Sequence, residues 1–226
     1  MIDGSILPLL IWLSPSFPVG AFAYSHALEW VVESGDIYDL ESCKMWLADL
    51  LEFGSGRTDA ILLAHAWHSA IKKDKNAIKD LAELAIALQP SAERHLETVT
   101  QGNAFLTASL SAWPSDKIDF LRQSVKGDIP YPIAIGVAAA GFNLPLQHTL
   151  ESFLLSFVNN LVSSIIRLGP LGQTNGQKVI AHSLPLLCRI AQEATCLNLS
   201  DIGNSVFRSD IASLRHETQY TRLFRS

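Results

Sequence analysis

The sequence predicts an all-α protein, a single compact bundle of about eight to ten helices formed by one domain spanning residues 1–226. Three observations lead there. Apolar residues recur with helical spacing along most of the chain. No segment alternates with period two, and β-branched residues do not cluster between turn signals. Capping residues and Gly or Pro stops punctuate the periodic stretches at ordinary helix lengths.

Taken in order, Asp39 caps a helix running to about Phe53, with Cys43, Trp46, Leu47, Leu50 and Leu51 on one stripe and Gly54 as its stop. Asp59 to about Lys72 repeats the pattern through Leu62, Leu63, Ala66 and Ala70. Ile78 to Leu88 follows and stops before Pro90, because proline cannot continue a helix. Ser91 caps a longer helix to Ala112, and Ser115 caps one running through Leu121 to Val125. Pro130–Gly141 and Leu146–Leu168 give two more, and the stretch after Gly176 gives one interrupted near Pro185. Asp210–Phe224 is expected to close the chain as a final helix.

The Leu146–Leu168 helix carries no charge between Glu151 and Arg167. Phe153, Leu154, Phe157, Val158, Leu161, Val162, Ile165 and Ile166 form a broad apolar face, while Ser152, Ser156, Asn159, Asn160, Ser163 and Ser164 make the other side polar but uncharged. That composition fits a central core helix or one at a dimer contact.

Composition narrows the function classes. The chain is 48% hydrophobic and only 17% charged, against roughly 25% charged residues in typical soluble domains. A shortage of charge fits a surface partly covered by partners. With a net charge of −5 and no basic face, nucleic acid is not an expected partner. The densest basic cluster, Lys72-Lys73-Asp74-Lys75, reads as a solvated helix junction. Three cysteines, Cys43, Cys188 and Cys196, form no CxxC pair and read as buried, reduced side chains. Asp3 near the start does not fit a signal peptide, and the uncharged stretches are too short or too broken by proline to span a bilayer, so a cytoplasmic protein is expected.

Catalytic signatures are weak. Gly172-Gln-Thr-Asn-Gly176-Gln177-Lys178 has the wrong glycine spacing for a phosphate loop and Val179 where magnesium needs a hydroxyl. Gly54-Ser-Gly56-Arg-Thr-Asp59 lacks the strand and third glycine of a dinucleotide turn, so both segments read as helix junctions. There is no G-x-S-x-G elbow. His65 and His68 share a helix face but have no companion ligand at diagnostic spacing. No catalytic residue, cofactor or fixed metal is therefore expected. The alternative is a helical enzyme or small-ligand-binding protein with a pocket inside the bundle.

Two segments look specialised. In Ser14-Pro-Ser-Phe-Pro18-Val-Gly20-Ala-Phe22-Ala-Tyr24-Ser25, Pro18 and Gly20 suit positions i+1 and i+3 of a tight turn. The prolines stiffen a loop rich in aromatics, and such a loop loses little entropy on docking. Its aromatics could equally plug the bundle's own core. Glu29, one turn into the next helix, adds a charge beside the loop. The second segment, Asp210 to Ser226, stays rich in Arg, His, Tyr and Phe to its last residues, and Arg222 and Arg225 are expected to share a helical face. Either a docking helix or a self-docked tail fits it.

Pro18-Val-Gly20-x-Phe22-x-Tyr24-Ser25-x-x-Leu28-Glu29, Pro170-Leu-Gly-Gln173-x-x-Gly176-Gln177 and Asp210…His216-Glu217-x-x-Tyr220-x-Arg222-Leu-Phe, with Tyr131-Pro-Ile-Ala-Ile-Gly136-Val-Ala between them, resemble the urease accessory protein UreF family over essentially the whole chain. The resemblance implies an all-α homodimer that binds UreD (also called UreH) and recruits the GTPase UreG, which carries nickel to apo-urease. It implies control of UreG's GTP hydrolysis without a fixed nickel site. For the activator role, Arg57, Arg94 and Arg167 are candidate charges, and nothing in the sequence singles one out. Residue by residue, the resemblance implies that the loop centred on Phe22, with Pro18, Gly20, Tyr24 and Glu29, acts with Arg167 to recruit UreG. Glu151 and Leu155 would lie at the dimer contact, and Tyr220, Arg222 and Arg225 on the final helix would meet UreD. Ala27 departs from the family's usual Gly before Leu-Glu, and Phe22 stands where other members have Tyr or Trp. Ser91-Ala-Glu93-Arg94-His95 keeps part of an Arg-rich family pattern.

Overall fold

A computed structural model describes residues 5–114 and 116–226. Asp3 and the expected cap Ser115 lie outside the described residues. The described residues form an all-α bundle: α1 (Leu7–Trp12), a 3₁₀ turn (Ala21–Ala23), α2 (Leu28–Glu33), α3 (Leu40–Phe53), α4 (Ser55–Ile71), α5 (Lys75–Ala87), α6 (Ala92–Ala112), α7 (Asp116–Ser124), α8 (Tyr131–Gly141), α9 (Leu146–Leu168), α10 (Gln173–Ala194), a second 3₁₀ turn (Leu199–Asp201) and α11 (Phe207–His216).

The helix starts follow from local chemistry. Asp39 accepts the Ser42 N–H at 2.9 Å, and the Ser42 hydroxyl accepts the Asp39 N–H in return at 3.0 Å. Asp74 and Ser91 cap α5 and α6 through the Ala77 and Arg94 N–H groups. Gly169, at φ 101°, ends α9 in the left-handed conformation that only glycine takes cheaply.

Helix α8 is the axis. Every residue from Pro132 to Ala140 is buried, and α4 and α6 lie against it. Small residues allow that approach: a Cβ on Gly136 would stand 2.5 Å from the Leu63 carbonyl oxygen on α4. A Cβ on Gly102 of α6 would stand 1.8 Å from the carbonyl oxygen of Ile129, just before α8. At one end, Trp12 meets Phe105, Trp113 and Phe142 edge-on at 5.3–5.7 Å. Helix α9 packs on α10 and α4. At 23 residues with a window of mean hydropathy 1.3 it is, contrary to expectation, long and apolar enough to cross a membrane, but half of that window is buried in the bundle.

Four further sequence expectations are corrected. Helix α10 runs uninterrupted through Pro185, because the proline faces outward, where the carbonyl it leaves unpaired meets water, while Val179, Ser183, Leu187 and Ile190 keep the buried face continuous. The last helix stops at His216, so Arg222 and Arg225 share no helical face. The glycine run before Lys178 is no junction beyond Gly172, since Gly176 lies inside α10 with Ile166 and Val162 against it. Cys43 is buried, but Cys188 and Cys196 are exposed thiols.

Candidate partner-docking surface

The loop after α1 is tighter than expected. The Val19 N–H donates to the Phe17 carbonyl at 2.8 Å, a three-residue turn centred on Pro18. Gly20 then takes φ 74°. The loop's aromatics divide between both expected roles. Phe17 packs on Phe105 at 5.5 Å, and Tyr24 is buried, its carbonyl held by the Asn160 side chain at 3.1 Å. Phe22 is left 67% exposed. Arg167 on α9 donates to the Phe22 carbonyl at 2.6 Å and lies 4.3 Å from the centre of the Phe224 ring. A stacked cation of this kind contributes about 0.5–1 kcal/mol at an exposed site.

The segment after α11 straps this loop in place. His216, wholly buried, has Nδ1 2.6 Å from Glu93 and Nε2 3.4 Å from Glu29. Arg222 donates to Glu93 at 2.6 Å, and Gln219 donates to Glu33. The Glu29 carboxylate accepts the N–H groups of Leu223, at 2.7 Å, and Phe224, at 3.1 Å. Arg225 donates its N–H to the Ala23 carbonyl at 2.8 Å, and the Ser226 carbonyl accepts the Ser25 N–H at 2.7 Å. The tail therefore completes its hydrogen bonds against the loop instead of along a helix. Between loop and α2, His26 and Ala27 hold φ of 60° and 63°. Each costs a non-glycine residue roughly 1–2 kcal/mol, offset here by the Ser25–Ser226 clamp beside them.

Beneath loop and strap lies a charged interior. Arg94 donates to Glu97, which also accepts the Ser226 hydroxyl at 2.8 Å. Burial acts to raise the Glu97 carboxyl, but the Arg94 charge, then His26 and the Ser226 hydroxyl, outweigh it and hold the group far below the usual range. Burial and then the Arg94 charge lower His26 to about 4, and its Nε2 pairs with the Ser55 hydroxyl at 2.8 Å. Burial raises Asp59 to about 7, with Arg94 opposing and Glu97 reinforcing.

The candidate residues are thus separated by exposure. Pro18, Phe22, Arg167, Tyr220, Arg222 and Arg225 reach the surface, whereas Tyr24 and Glu29 turn inward. Glu29 adds no charge beside the loop; it is the acceptor that holds the strap. Glu151, accepting from Gln147 at 2.8 Å, and Leu155 lie half-buried on α9. His65 meets the Leu197 carbonyl at 3.0 Å, and His68 meets the Trp67 ring edge-on. Arg57 donates to the Asp201 carbonyl at 2.7 Å, and Arg94 is committed to Glu97. One surface feature was missed. Phe207, Ile211 and Leu214, at i, i+4 and i+7 on α11, are each more than half exposed, and Tyr220 and Leu223 in the segment after it are exposed as well. The spacing was readable, but an apolar stripe at that spacing ordinarily marks a core face.

This arrangement, a helical bundle presenting two surface features rich in apolar groups over a strapped charged interior, bears comparison with known proteins. The UreF family model matches residues 37–184. A urease accessory protein UreF of Xanthobacter autotrophicus is 54% identical over 98% of this chain and 91% of its own length. Relatives of the same name from Rhodopseudomonas palustris and Azorhizobium caulinodans are 48% and 47% identical over 99% and 98% of the chain, and 92% and 96% of their own lengths. These matches place the molecule among the urease accessory proteins. Within that class, the chain belongs to the UreF family.

Proposed function

We propose that the protein is a cytoplasmic, single-domain, dimeric scaffold that binds UreD (UreH) and recruits the GTPase UreG for nickel insertion into apo-urease. In that complex it modulates UreG's GTP hydrolysis and catalyses no reaction of its own. The observation that carries this reading is Phe22: an aromatic left exposed at the tip of a loop whose other contacts are all fixed, by the Pro18 turn, by Arg167 and by the strap. A side chain displayed from a rigid support is how a docking hot spot is built. Pro18 and Gly20 hold the loop's shape, Tyr24 and Glu29 anchor it from inside, and Phe22 and Arg167 meet UreG.

The α11 stripe of Phe207, Ile211 and Leu214, with Tyr220, Arg222 and Arg225 beyond it, supports UreD docking on that side. An apolar stripe rimmed by arginine is a common interface composition. Glu151 and Leu155 on the half-exposed, uncharged side of α9 serve the dimer contact.

Co-purification with UreD and UreG tests the assembly. Phe22→Ala is expected to lose UreG while the dimer and the UreD complex persist; unchanged UreG recruitment would remove the loop from the interface. If adding the protein leaves UreG's turnover unchanged in the assembled complex, the regulatory part fails.

A further inference from the structure

The cleft beside Phe22 has a chemistry that the docking loop does not use. It holds about 140 Å³ and is walled by Leu13, Phe17, Phe22, Phe153 and Phe157. Charged side chains line it on the bundle side: Asp59 from α4, and Arg94 and Glu97 from α6. Arg94 and Glu97 satisfy each other. Asp59 is left over. Among the described residues its carboxylate accepts no hydrogen bond and joins no ion pair, and it also lines a second cavity of about 90 Å³ with His26, Arg94 and Asp210. Tyr131 of α8 completes the titratable groups around the two spaces. The cleft therefore holds two carboxylates to one guanidinium: Arg94 pairs with Glu97 and acts on Asp59 only from beyond ion-pair distance, which leaves one negative charge in excess.

The surroundings supply no charge to replace it. Residues 5–28 and 152–166 contain no Asp, Glu, Lys or Arg. Arg167, at the rim, is committed to the Phe22 carbonyl and the Phe224 ring. Among the described residues no three metal-ligating side chains gather, so the site fits a monovalent organic cation better than a metal ion.

We propose that this cleft takes the ammonium or guanidinium end of a lysine or arginine side chain carried by the protein that docks on Phe22, with Asp59 as its counter-ion. The inference rests on the loop reading above. The aliphatic stem lies along the aromatic walls while the charged head reaches the carboxylate. A loop without charge gives shape and apolar contact; the cleft adds selection by charge. The cation also relieves a cost already present in the free protein, because burial, opposed by the Arg94 charge and reinforced by Glu97, raises the Asp59 carboxyl to about 7.

The experiment measures UreG affinity for the UreD-bound protein as wild type, Asp59→Asn and Phe22→Ala, each at about pH 6 and pH 8, on either side of the Asp59 midpoint. Asp59→Asn keeps the side chain's shape. Its thermal midpoint at the higher pH, expected above that of the wild type, verifies folding. The proposal predicts at least about tenfold weaker binding for Asp59→Asn at the higher pH. It also predicts that wild-type binding tightens as Asp59 ionises and that the variant loses this dependence. Asp59→Asn binding as tightly as wild type overturns the proposal, and if Phe22→Ala still abolishes binding, the loop reading survives alone. If Phe22→Ala binds normally while Asp59→Asn loses both affinity and pH dependence, the loop reading falls and the cleft stands. n-Pentylammonium distinguishes the sources of the cation. Competition with UreG on wild type but not on Asp59→Asn supports the proposal. Saturable binding that leaves UreG affinity unchanged marks a free-amine site and overturns the assignment to a partner's side chain.

Discussion

Asp59 and His26 face the same interior and carry opposite pH linkages. His26, lowered by burial to about 4 from 6.5, contributes stability that is present above pH 6.5 and is lost as pH falls toward 4. Asp59, raised by burial to about 7 from 3.8, binds its proton more tightly when folded, so stability is lost as pH rises from 3.8 through about 7. The windows overlap, and in wild type they largely cancel. Asp59→Asn removes one of them. Urea unfolding across pH is expected to show the variant more stable than wild type near pH 8, by roughly 1–4 kcal/mol, and equal to it below the unfolded carboxylate's midpoint. Between 6.5 and 4 the variant should lose stability on acidification, exposing the His26 linkage. A variant with the wild-type profile would show that Asp59 is not held above its ordinary value. Glu97 is the reverse case. Glu97→Gln leaves Arg94 buried without a carboxylate and is expected to cost about 3–5 kcal/mol in urea unfolding. A loss under about 1 kcal/mol would show that Arg94 finds another partner or water.

The strap and the α6–α8 approach decide most at the level of elements. Glu29 accepts three hydrogen bonds from two backbone N–H groups of the strap. Glu29→Ala should raise hydrogen exchange in residues 218–226 well before the bundle opens, and cost about 1–3 kcal/mol. Unchanged protection would mean that the strap is held elsewhere. Gly102→Ala places a methyl on the Ile129 carbonyl, 1.8 Å away, with backbone on both sides. A loss of about 1–3 kcal/mol or more is expected, since neither element can yield alone.

These same elements show where the sequence was readable. Asp39, Ser91 and Gly169 announce their helix ends because capping is local chemistry, and α3, α6 and α9 begin and end within a residue or two of expectation. The six-residue α1 and α2 are too short to show a period, and Pro8 sits in the first turn of α1, where its missing N–H costs nothing. The end of α11 was not readable. Residues 217–224 have a helix-compatible composition, and the carboxylates of Glu29, Glu33 and Glu93, nearly two hundred residues away in two cases, draw them into a strap. Exposure at the site was unreadable for the same reason. Nothing local distinguishes Phe22, which points out, from Tyr24, which points in.

At the scale of the molecule, one interior joins the two surfaces. Glu29, Glu93 and Glu97 hold the strap, and the strap, through Ser226, Arg225 and Phe224, holds the loop and Arg167. The α11 stripe lies at the other end of that strap. Under the proposed function this surface grips partner proteins, with Phe22 as the point of contact for UreG. Light scattering after chromatography of the chain mixed with UreD and UreG measures it most directly. The expected outcome is a dimer-based complex that contains all three proteins, and a Phe22→Ala complex that keeps UreD and loses UreG. A chain that elutes alone as a monomer, with neither protein bound, would contradict it.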